Sequence, residues 1–302
     1  MSVVVSGLPA GARTTVTATA TDTSGVPWTS SADFQAGPDG KVSLAQRPVS
    51  GYPAADPMAL FGLMKPSRGD DVFFAGGRTV DVTLRASLDG KVVAQAIAHR
   101  RSPDDVGVRH RDLRPATDGL YGTLYLPADT STPRPALVVF GGSEGGLSGV
   151  VIEAAALLAA RGYPALALAY FHEPGLPATL TDVPLEYFAR AVRLLRSQPG
   201  VDPDHVLVQG ASRGGEGAWP SCIFVDAISF RLKQHHFRYP VTVLKYPDGG
   251  HYVGIFTTSY TSWTPAALEP AADGLTPGGT LPATLAGAAD SHAKLLALLG
   301  SL

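Results

Sequence analysis

The chain has 302 residues, of which 45% are hydrophobic and 17% charged, and its formal net charge is −2. This length allows two domains, the composition is that of an ordinary globular protein, and the charge argues against a general nucleic-acid binder. No apolar run is long enough to span a membrane. The single cysteine, Cys222, excludes an internal disulfide framework. The first residues lack the basic and apolar parts of a signal peptide, so we expect a cytoplasmic protein.

The first hundred residues predict an all-β domain. Residues 14–19 are β-branched and alternating, and Asp-Gly pairs at 39–40 and 89–90 are turn signals of β-hairpins. Apolar and polar side chains alternate over residues 80–84, so one face of the second hairpin should be buried. Several short strands separated by turns predict a β-sandwich over residues 1–100. We expect it to be structural or lid-forming, because it contains no cluster of histidines, cysteines or carboxylates.

The pattern changes after a polar and charged stretch, residues 101–115, which is expected to be a linker. Strands are expected over residues 120–126, 135–140, 165–170 and 206–209, and helices over residues 149–161 and 184–197. Buried strands that alternate with amphipathic helices are typical of a mostly parallel, doubly wound α/β sheet. Residues 116–302 are therefore predicted to form an α/β domain.

Residues 210–214 read Gly-Ala-Ser-Arg-Gly and carry the strongest signal for chemistry. The pattern fits the nucleophile elbow, in which a serine lies on a sharp turn between a strand and a helix. The apolar run at 206–209 provides the strand. A glycine-rich turn also follows many strands that have no catalytic role, but this context makes Ser212 the candidate nucleophile.

A serine hydroxyl needs an adjacent base at neutral pH, and His251 is the candidate. It lies in a glycine-rich loop after the apolar run 241–244, which is expected to be a strand. In α/β-hydrolases the histidine occupies such a loop, and the chain order is serine, acid, histidine. His235 and His236 are expected to be exposed residues at a helix end, and His172 is left unassigned.

Residues 141–146 form a second glycine-rich loop directly after the strand that ends at Phe140. In α/β-hydrolases a loop at this position supplies a backbone N–H to the oxyanion hole. The candidate donors are therefore the N–H groups of Gly142, Ser143 and Arg213. A phosphate-binding loop is the alternative, but the Gly-Lys-Ser/Thr ending and the dinucleotide spacing are missing.

Taken in order, these motifs resemble the acyl-CoA thioesterase / bile acid-CoA:amino acid N-acyltransferase family. The other segments that carry the resemblance are residues 56–58, 139–142, 168–170, 185–188, 219–221, 246–247 and 250–252. The resemblance covers nearly the whole chain and implies an immunoglobulin-like domain followed by an α/β-hydrolase domain. It implies Ser212 as nucleophile and His251 as base, acting on a thioester of CoA or of a carrier protein. Family members with serine at this place tend to hydrolyse thioesters, and those with cysteine tend to transfer the acyl group.

The chain departs from the family pattern in lacking a triad acid. The family has an aspartate just before the Trp-Pro-Ser segment, where this chain has Gly217-Ala218. Only Asp226 and Asp248 lie between the serine and the histidine, and neither is expected at the end of a strand.

The spacing is also short. Only 39 positions separate Ser212 from His251, which is too few for the strands and helices that normally lie between them. A strand-and-helix unit is therefore expected to be missing between Ala218 and Trp219. Either it was deleted, or the printed sequence joins two segments of a longer protein. We favour the second explanation, because losing a strand would expose an apolar sheet edge, and it predicts an intact mass above 31.3 kDa.

Four functions are compatible with these residues. A serine thioesterase ranks first because of the resemblance. An acyltransferase would use the same acyl-enzyme with an amine or alcohol acceptor, and an esterase or peptidase would share the elbow and the histidine. A non-catalytic protein with a decayed hydrolase fold is favoured by the missing acid and disfavoured by the elbow. No metal motif is present, the mechanism needs no cofactor, and no nucleic-acid or membrane partner is expected. The sequence leaves the oligomeric state open.

Overall fold

The computed structural model describes residues 2–52, 55–69, 79–181, 183–210, 221–239, 241–246, 248–250, 253 and 279–302. The chain divides into two compact units, the first built mainly from residues up to Asp105 and the second mainly from Val106 onward.

The first unit is built on antiparallel β-structure. Its described strands are β1 (Val4–Val5), β2 (Arg13–Thr21), β3 (Pro27–Gln35), β4 (Val42–Ser43), β5 (Lys65–Pro66), β6 (Val80–Leu88) and β7 (Lys91–Arg100), and the short helix α1 spans Ala59–Gly62. The order β5-β3-β2-β6-β7 makes a five-stranded sheet, and β1 pairs with β4. The turn at 89–90 joins β6 to β7, as the sequence predicts. An immunoglobulin-like sandwich stays a prediction.

The core of this unit follows from alternation along the strands. In β2, buried Val16, Ala18 and Ala20 alternate with more exposed residues. Trp28 and Phe61 are completely buried in the same apolar cluster. The indole N–H of Trp28 donates to the Asp22 carboxylate at 3.0 Å, so the largest core side chain keeps its polar atom satisfied.

Asp33 ties together three segments of this unit. Its carboxylate accepts hydrogen bonds from the hydroxyl of Thr15 at 2.6 Å, the guanidinium of Arg13 at 2.6 Å and the hydroxyl of Ser50 at 2.8 Å. These bonds, with that of Thr15 the largest cause, lower the pKa of Asp33 to about 2. Its unfolded pKa is about 3.9, so the carboxylate stabilises the fold above about pH 4, and this stabilisation is lost as the pH falls toward 2.

We therefore expect Asp33→Asn to lower the free energy of unfolding by about 1 kcal/mol at pH 7, a value reduced for the partial exposure of the site. At about pH 2 the variant and the wild type should be nearly equal. Urea unfolding at the two pH values measures this. Asp39→Asn is the control, since the exposed Asp39 carboxylate bonds within its own turn, to the Lys41 ammonium at 3.4 Å and to the Lys41 backbone N–H at 3.3 Å. An equal loss at both pH values would show that the carboxylate charge is not responsible.

The second unit is α/β. Its strands are β8 (Arg109–Leu113), β9 (Tyr121–Leu126), β10 (Arg134–Phe140), β11 (Ala165–Ala169) and β12 (Val201–Gly210). The helices along this part of the chain are α2 (Pro115–Asp118), α3 (Gly149–Ala160), α4 (Leu185–Arg196), α5 (Ser221–Gln234) and α6 (Leu281–Ser301), the last of which contributes to both units. The described sheet has the order β12-β10-β11-β9-β8.

Helices cover both faces of this sheet. Leu137 and Val139 of β10 pack in the cluster that contains α3, whereas Val138 and Phe140 pack in the cluster that contains α4. Successive side chains of a strand point to opposite faces, so α3 and α4 lie on opposite sides. This is the doubly wound arrangement expected from the sequence.

The described sheet is mixed, whereas the sequence predicts a mostly parallel one. β10, β11 and β12 are parallel, but β9 runs antiparallel to both β8 and β11. The reason for the β8–β9 pair lies in the connection, residues 114–120, because a parallel pair needs a crossover of a dozen or more residues.

Strand β8 lies within residues 101–115, which the sequence analysis expects to be a linker. Four of its five residues are exposed and only Leu113 is buried. An edge strand tolerates charged side chains, so its polar composition gives no strand signal. The strand is held by a regular antiparallel ladder to β9.

One prediction from an apolar run of this unit is wrong. Residues 241–244 are not a strand, and Val241 and Val243 are exposed. A strand needs a neighbour for its backbone groups, and none of the described strands pairs with this segment.

Candidate functional site

Three of the predicted site residues, Ser212, Arg213 and His251, lie outside the described residues. Gly142 and Ser143 are described. So are residues 183–210, which end two residues before the serine, and residues 248–250, directly before the histidine. The candidate site can therefore be described from the glycine-rich loop 141–146 and from the strands that lead into it.

The register of the sheet places the two predicted loops at neighbouring strand ends. β10 and β12 are parallel and adjacent, with Val139 opposite Gln209 and Phe140 opposite Gly210. The glycine-rich loop 141–146 and the predicted elbow thus leave the sheet at the same edge and at the same level. In open α/β sheets, ligands bind at this carboxyl edge of the strands.

The loop from 141 to 147 is fixed by its own backbone N–H groups. That of Gly142 donates to both carboxylate oxygens of Glu144 at 3.2 Å, and that of Gly146 donates to the Phe171 carbonyl at 3.0 Å. The N–H of Leu147 donates to Glu173 Oε1 at 3.2 Å. The expected oxyanion donor, Gly142, is therefore present and directed at an anion.

Glycine is required at one bend of this loop. Gly145 has a φ of 65°, in the left-handed region that side chains rarely adopt. A Cβ atom there would also lie 2.7 Å from His172 Cβ and 2.8 Å from the Phe171 ring. Any side chain at this position would therefore push the loop away from the end of β11.

Tyr170 holds the first residue of the loop 141–147 by a hydrogen bond. It is 5% exposed, and its hydroxyl donates to the carbonyl of Gly141 at 3.0 Å. Its ring packs against Phe140 and Phe188, with ring centroids 5.4 Å apart in each case. Burial, and then the negative charge of Glu144, raise the pKa of Tyr170. Its hydroxyl therefore stays protonated and able to donate at neutral pH.

Sequence reasoning missed Glu144 and Tyr170 as parts of this site. For Glu144 the sequence does carry a signal, since an acidic residue inside a glycine-rich loop can reach the backbone N–H donors of that loop. For Tyr170 the signal was only its place directly after β11.

His172, which the sequence analysis left unassigned, lies at the same carboxyl edge. It has a φ of 59°, and its N–H donates to the Pro177 carbonyl at 2.7 Å. Its side chain is exposed and stacks on Phe171. A left-handed φ is uncommon outside glycine, although histidine tolerates it better than most residues.

The backbone on each side of His251 is held by helix α6 and the residue before it. The N–H of Gly250 donates to the hydroxyl of Thr284 at 2.7 Å, and that of Thr280 to the carbonyl of Asp248 at 3.0 Å. On the other side, the hydroxyl of Ser291 donates to the carbonyl of Val253 at 2.9 Å.

Neither aspartate in the Ser212–His251 interval has the surroundings of a triad acid. Asp226 is exposed on α5 and pairs with Lys245 at 2.7 Å. Asp248 is exposed in the histidine loop. Among the described residues, no group of three or more histidines, cysteines or carboxylates could hold a metal ion. Within the same residues, no helix has both the length and the apolar character needed to cross a membrane.

Comparison with known proteins agrees with the motifs. Residues 1–112 match the family model described as the acyl-CoA thioester hydrolase/BAAT N-terminal region. The resemblance to this family is confirmed. Rat acyl-coenzyme A thioesterase 2, mitochondrial, is 31% identical over 241 residues, which are 76% of this chain and 51% of that protein. Rat acyl-coenzyme A thioesterase 1 is 30% identical over 240 residues, 76% of this chain and 55% of that protein.

The chain spans about half the length of these relatives. Human acyl-coenzyme A thioesterase 1 is 29% identical over 75% of this chain and 54% of its own length. Among solved structures, a dienelactone hydrolase-like promiscuous phosphotriesterase from metagenomic libraries has a TM-score of 0.44 and 20% identity, covering 65% of this chain and 98% of that chain.

Proposed function

We propose that this chain is a serine-dependent thioester hydrolase that acts on an acyl-CoA or acyl-carrier thioester through an acyl-enzyme. The observation that carries the proposal is the register of β10 and β12, which starts the glycine-rich loop and the Ser212 segment from adjacent strand ends. The relatives named acyl-coenzyme A thioesterases supply the substrate class. Its second unit would be an α/β-hydrolase domain, and its first an immunoglobulin-like sandwich.

In the proposed reaction, Ser212 attacks the thioester carbonyl while His251 takes its proton. The N–H groups of Gly142, Ser143 and Arg213 stabilise the oxyanion, a contribution of several kcal/mol in comparable sites. The thiol leaves with the proton held by His251, and an acyl-serine remains. A water molecule, deprotonated by the same histidine, then releases the acid.

The absent triad acid limits this reaction. In other serine hydrolases the acid holds the histidine in the correct tautomer, and its loss slows turnover by about 10⁴-fold. With Asp226 and Asp248 as the only aspartates in the interval, we expect slow turnover from this chain. The alternative that this observation favours is a decayed hydrolase that binds thioesters without cleaving them.

The second alternative is acyl transfer to an amine or alcohol, and the product distinguishes it. Purified protein is incubated with an acyl-CoA, with and without glycine as acceptor. Thiol release is measured with a colorimetric thiol reagent, and the acyl product is identified by mass spectrometry. We expect the free acid in both reactions, with a rate that the acceptor does not change. An N-acyl product that forms in proportion to the acceptor would assign the chain to acyl transfer.

The cellular location stays a prediction. The composition and the first residues predict a cytoplasmic location, but one of the relatives is named as mitochondrial. The carrier-protein alternative to CoA is likewise a proposal.

A further inference from the structure

We propose that Tyr170 and Glu144 control the Gly142 N–H: Tyr170 aims this donor, and Glu144 occupies it until the oxyanion displaces the carboxylate. The inference rests on the proposed function, because it takes Gly142 as an oxyanion donor. It assigns roles to two residues that lie outside the predicted serine, histidine and oxyanion N–H groups.

Both residues act on one peptide unit. The carbonyl of Gly141 and the N–H of Gly142 belong to the same planar trans peptide and point in opposite directions. The buried Tyr170 hydroxyl holds the carbonyl end at 3.0 Å, and the aromatic rings around Tyr170 leave it little freedom. Fixing the carbonyl therefore fixes the direction of the N–H.

The Glu144 carboxylate lies where an oxyanion would be bound. Its two oxygens are each 3.2 Å from the nitrogen of Gly142, and the hydroxyl of Ser148 approaches it at 3.4 Å. Ser148 is the N-cap of α3, whose first turn has no acidic residue of its own. The positive end of the helix dipole adds to the stabilisation of the carboxylate.

The glycine at position 141 gives a second, independent indication. A Cβ atom there would overlap Glu144 Oε1 and lie 3.2 Å from Val151 Cγ2. Gly141 is not among the positive-φ residues of the chain, so its backbone conformation does not require glycine. The missing side chain instead makes room for the carboxylate.

Glu144 is also able to leave. The residue as a whole is exposed, so its side chain can rotate into solvent without crossing the core. An oxyanion and a carboxylate cannot share one N–H donor, because their like charges repel. Each turnover therefore requires the carboxylate to move away, which slows the first step.

The chain offers a matched control for each residue. Glu173 binds the other end of the same loop through the Leu147 N–H at 3.2 Å. Tyr187 lies beside the same aromatic rings, but its hydroxyl bonds to Ala169 and Tyr121 at 2.8 Å. Neither residue bonds to the Gly141–Gly142 peptide.

The first test is the rate at which a fluorophosphonate labels Ser212, since its phosphoryl oxygen uses the same donors as the oxyanion. We expect Glu144→Gln to label about tenfold faster than wild type, and Tyr170→Phe about tenfold slower. Glu173→Gln should not accelerate labelling, and Tyr187→Phe should slow it much less than Tyr170→Phe. A slower rate for Glu144→Gln, or equal effects of the two tyrosine variants, would overturn the proposal.

The second test needs no activity and separates this inference from the proposed function. The NMR signal of the Gly142 amide proton should lie further downfield in wild type than in Glu144→Gln, because a hydrogen bond to a carboxylate is stronger than one to a neutral amide. Glu173→Gln should leave this signal at its wild-type position. The pKa of Tyr170 should fall in Glu144→Gln, because the charge of Glu144 is one cause that raises it. A Gly142 signal at the same position in wild type and in Glu144→Gln would overturn the occupancy by Glu144, even if the phosphonate labels nothing and the proposed function fails.

Discussion

Ser212→Ala is expected to lose about a hundredfold or more of its thioester hydrolysis. Removing the nucleophile of a serine hydrolase costs on the order of 10⁶-fold in fully assembled triads, and about 10⁴ of this is already lost without a well-placed acid. The release of CoA thiol from an acyl-CoA measures the rate. Circular dichroism of the variant shows whether its fold is retained.

Ser197→Ala is the matched control for this substitution. Ser197 ends α4, and its hydroxyl donates to the carbonyl of Leu194 at 2.8 Å. It is exposed and belongs to no predicted site, so its removal should leave the rate within about twofold. A Ser212→Ala protein that hydrolyses as fast as Ser197→Ala would remove the serine from the mechanism.

His251→Ala is expected to lose nearly as much activity as Ser212→Ala, because the serine is then left without a base. In wild type the rate should rise with pH through about 6.5, the ordinary pKa of an imidazole that must be neutral to accept a proton. The variant should lose this rise together with the rate. Thiol release between about pH 5 and pH 8 measures both effects.

His235→Ala separates this effect from the loss of any histidine. His235 is exposed just after α5, where its N–H donates to the carbonyl of Arg231 at 3.0 Å. We expect the activity and the pH profile of the His235→Ala variant to match those of wild type. If His235→Ala and His251→Ala lose equal activity, His251 is not the base.

The regular elements of the second unit could be predicted from the sequence, because their apolar patterns are long and continuous. α3 was expected over residues 149–161 and occupies Gly149–Ala160, and α4 was expected over residues 184–197 and occupies Leu185–Arg196. The buried strands β10 and β11 also lie within one residue of their expected bounds.

Strands at the sheet edge could not be predicted in the same way. β8 carries charged and polar residues because almost all of it faces solvent, so its strand character depends on pairing with β9 rather than on composition. Conversely, the apolar run at 241–244 looked like a buried strand but has no pairing neighbour in the described part of the chain. Pairing between distant segments decided both cases.

The roles of Glu144 and Tyr170 depend on contacts that a sequence does not display. The bond from Tyr170 to Gly141 joins residues 29 positions apart, and it forms only because β10 and β11 are neighbours in the sheet. The Glu144 carboxylate turns back within its own loop and accepts from the Gly142 N–H, two residues earlier. The glycine-rich loop after β10 could thus be located from the sequence, but not the groups that hold it, and its oxyanion role stays a prediction.

A missing strand-and-helix unit between Ala218 and Trp219 stays a prediction, since residues 211–220 lie outside the described part of the chain. β12 is a sheet edge among the described strands, and its Val208 is 55% exposed. Loss of a neighbouring unit would leave such an apolar edge. An intact mass above 31.3 kDa would place the unit in the protein, and an equal mass would favour the decayed, non-catalytic alternative.

The most direct test of the central claim is the site of covalent modification by a serine-reactive fluorophosphonate, mapped by peptide mass spectrometry. The proposed mechanism predicts one adduct, on the peptide that contains Ser212, and protection of that serine when an acyl-CoA is present in excess. Thioester hydrolysis by a protein whose Ser212 stays unlabelled, or with the adduct on another residue, would contradict it.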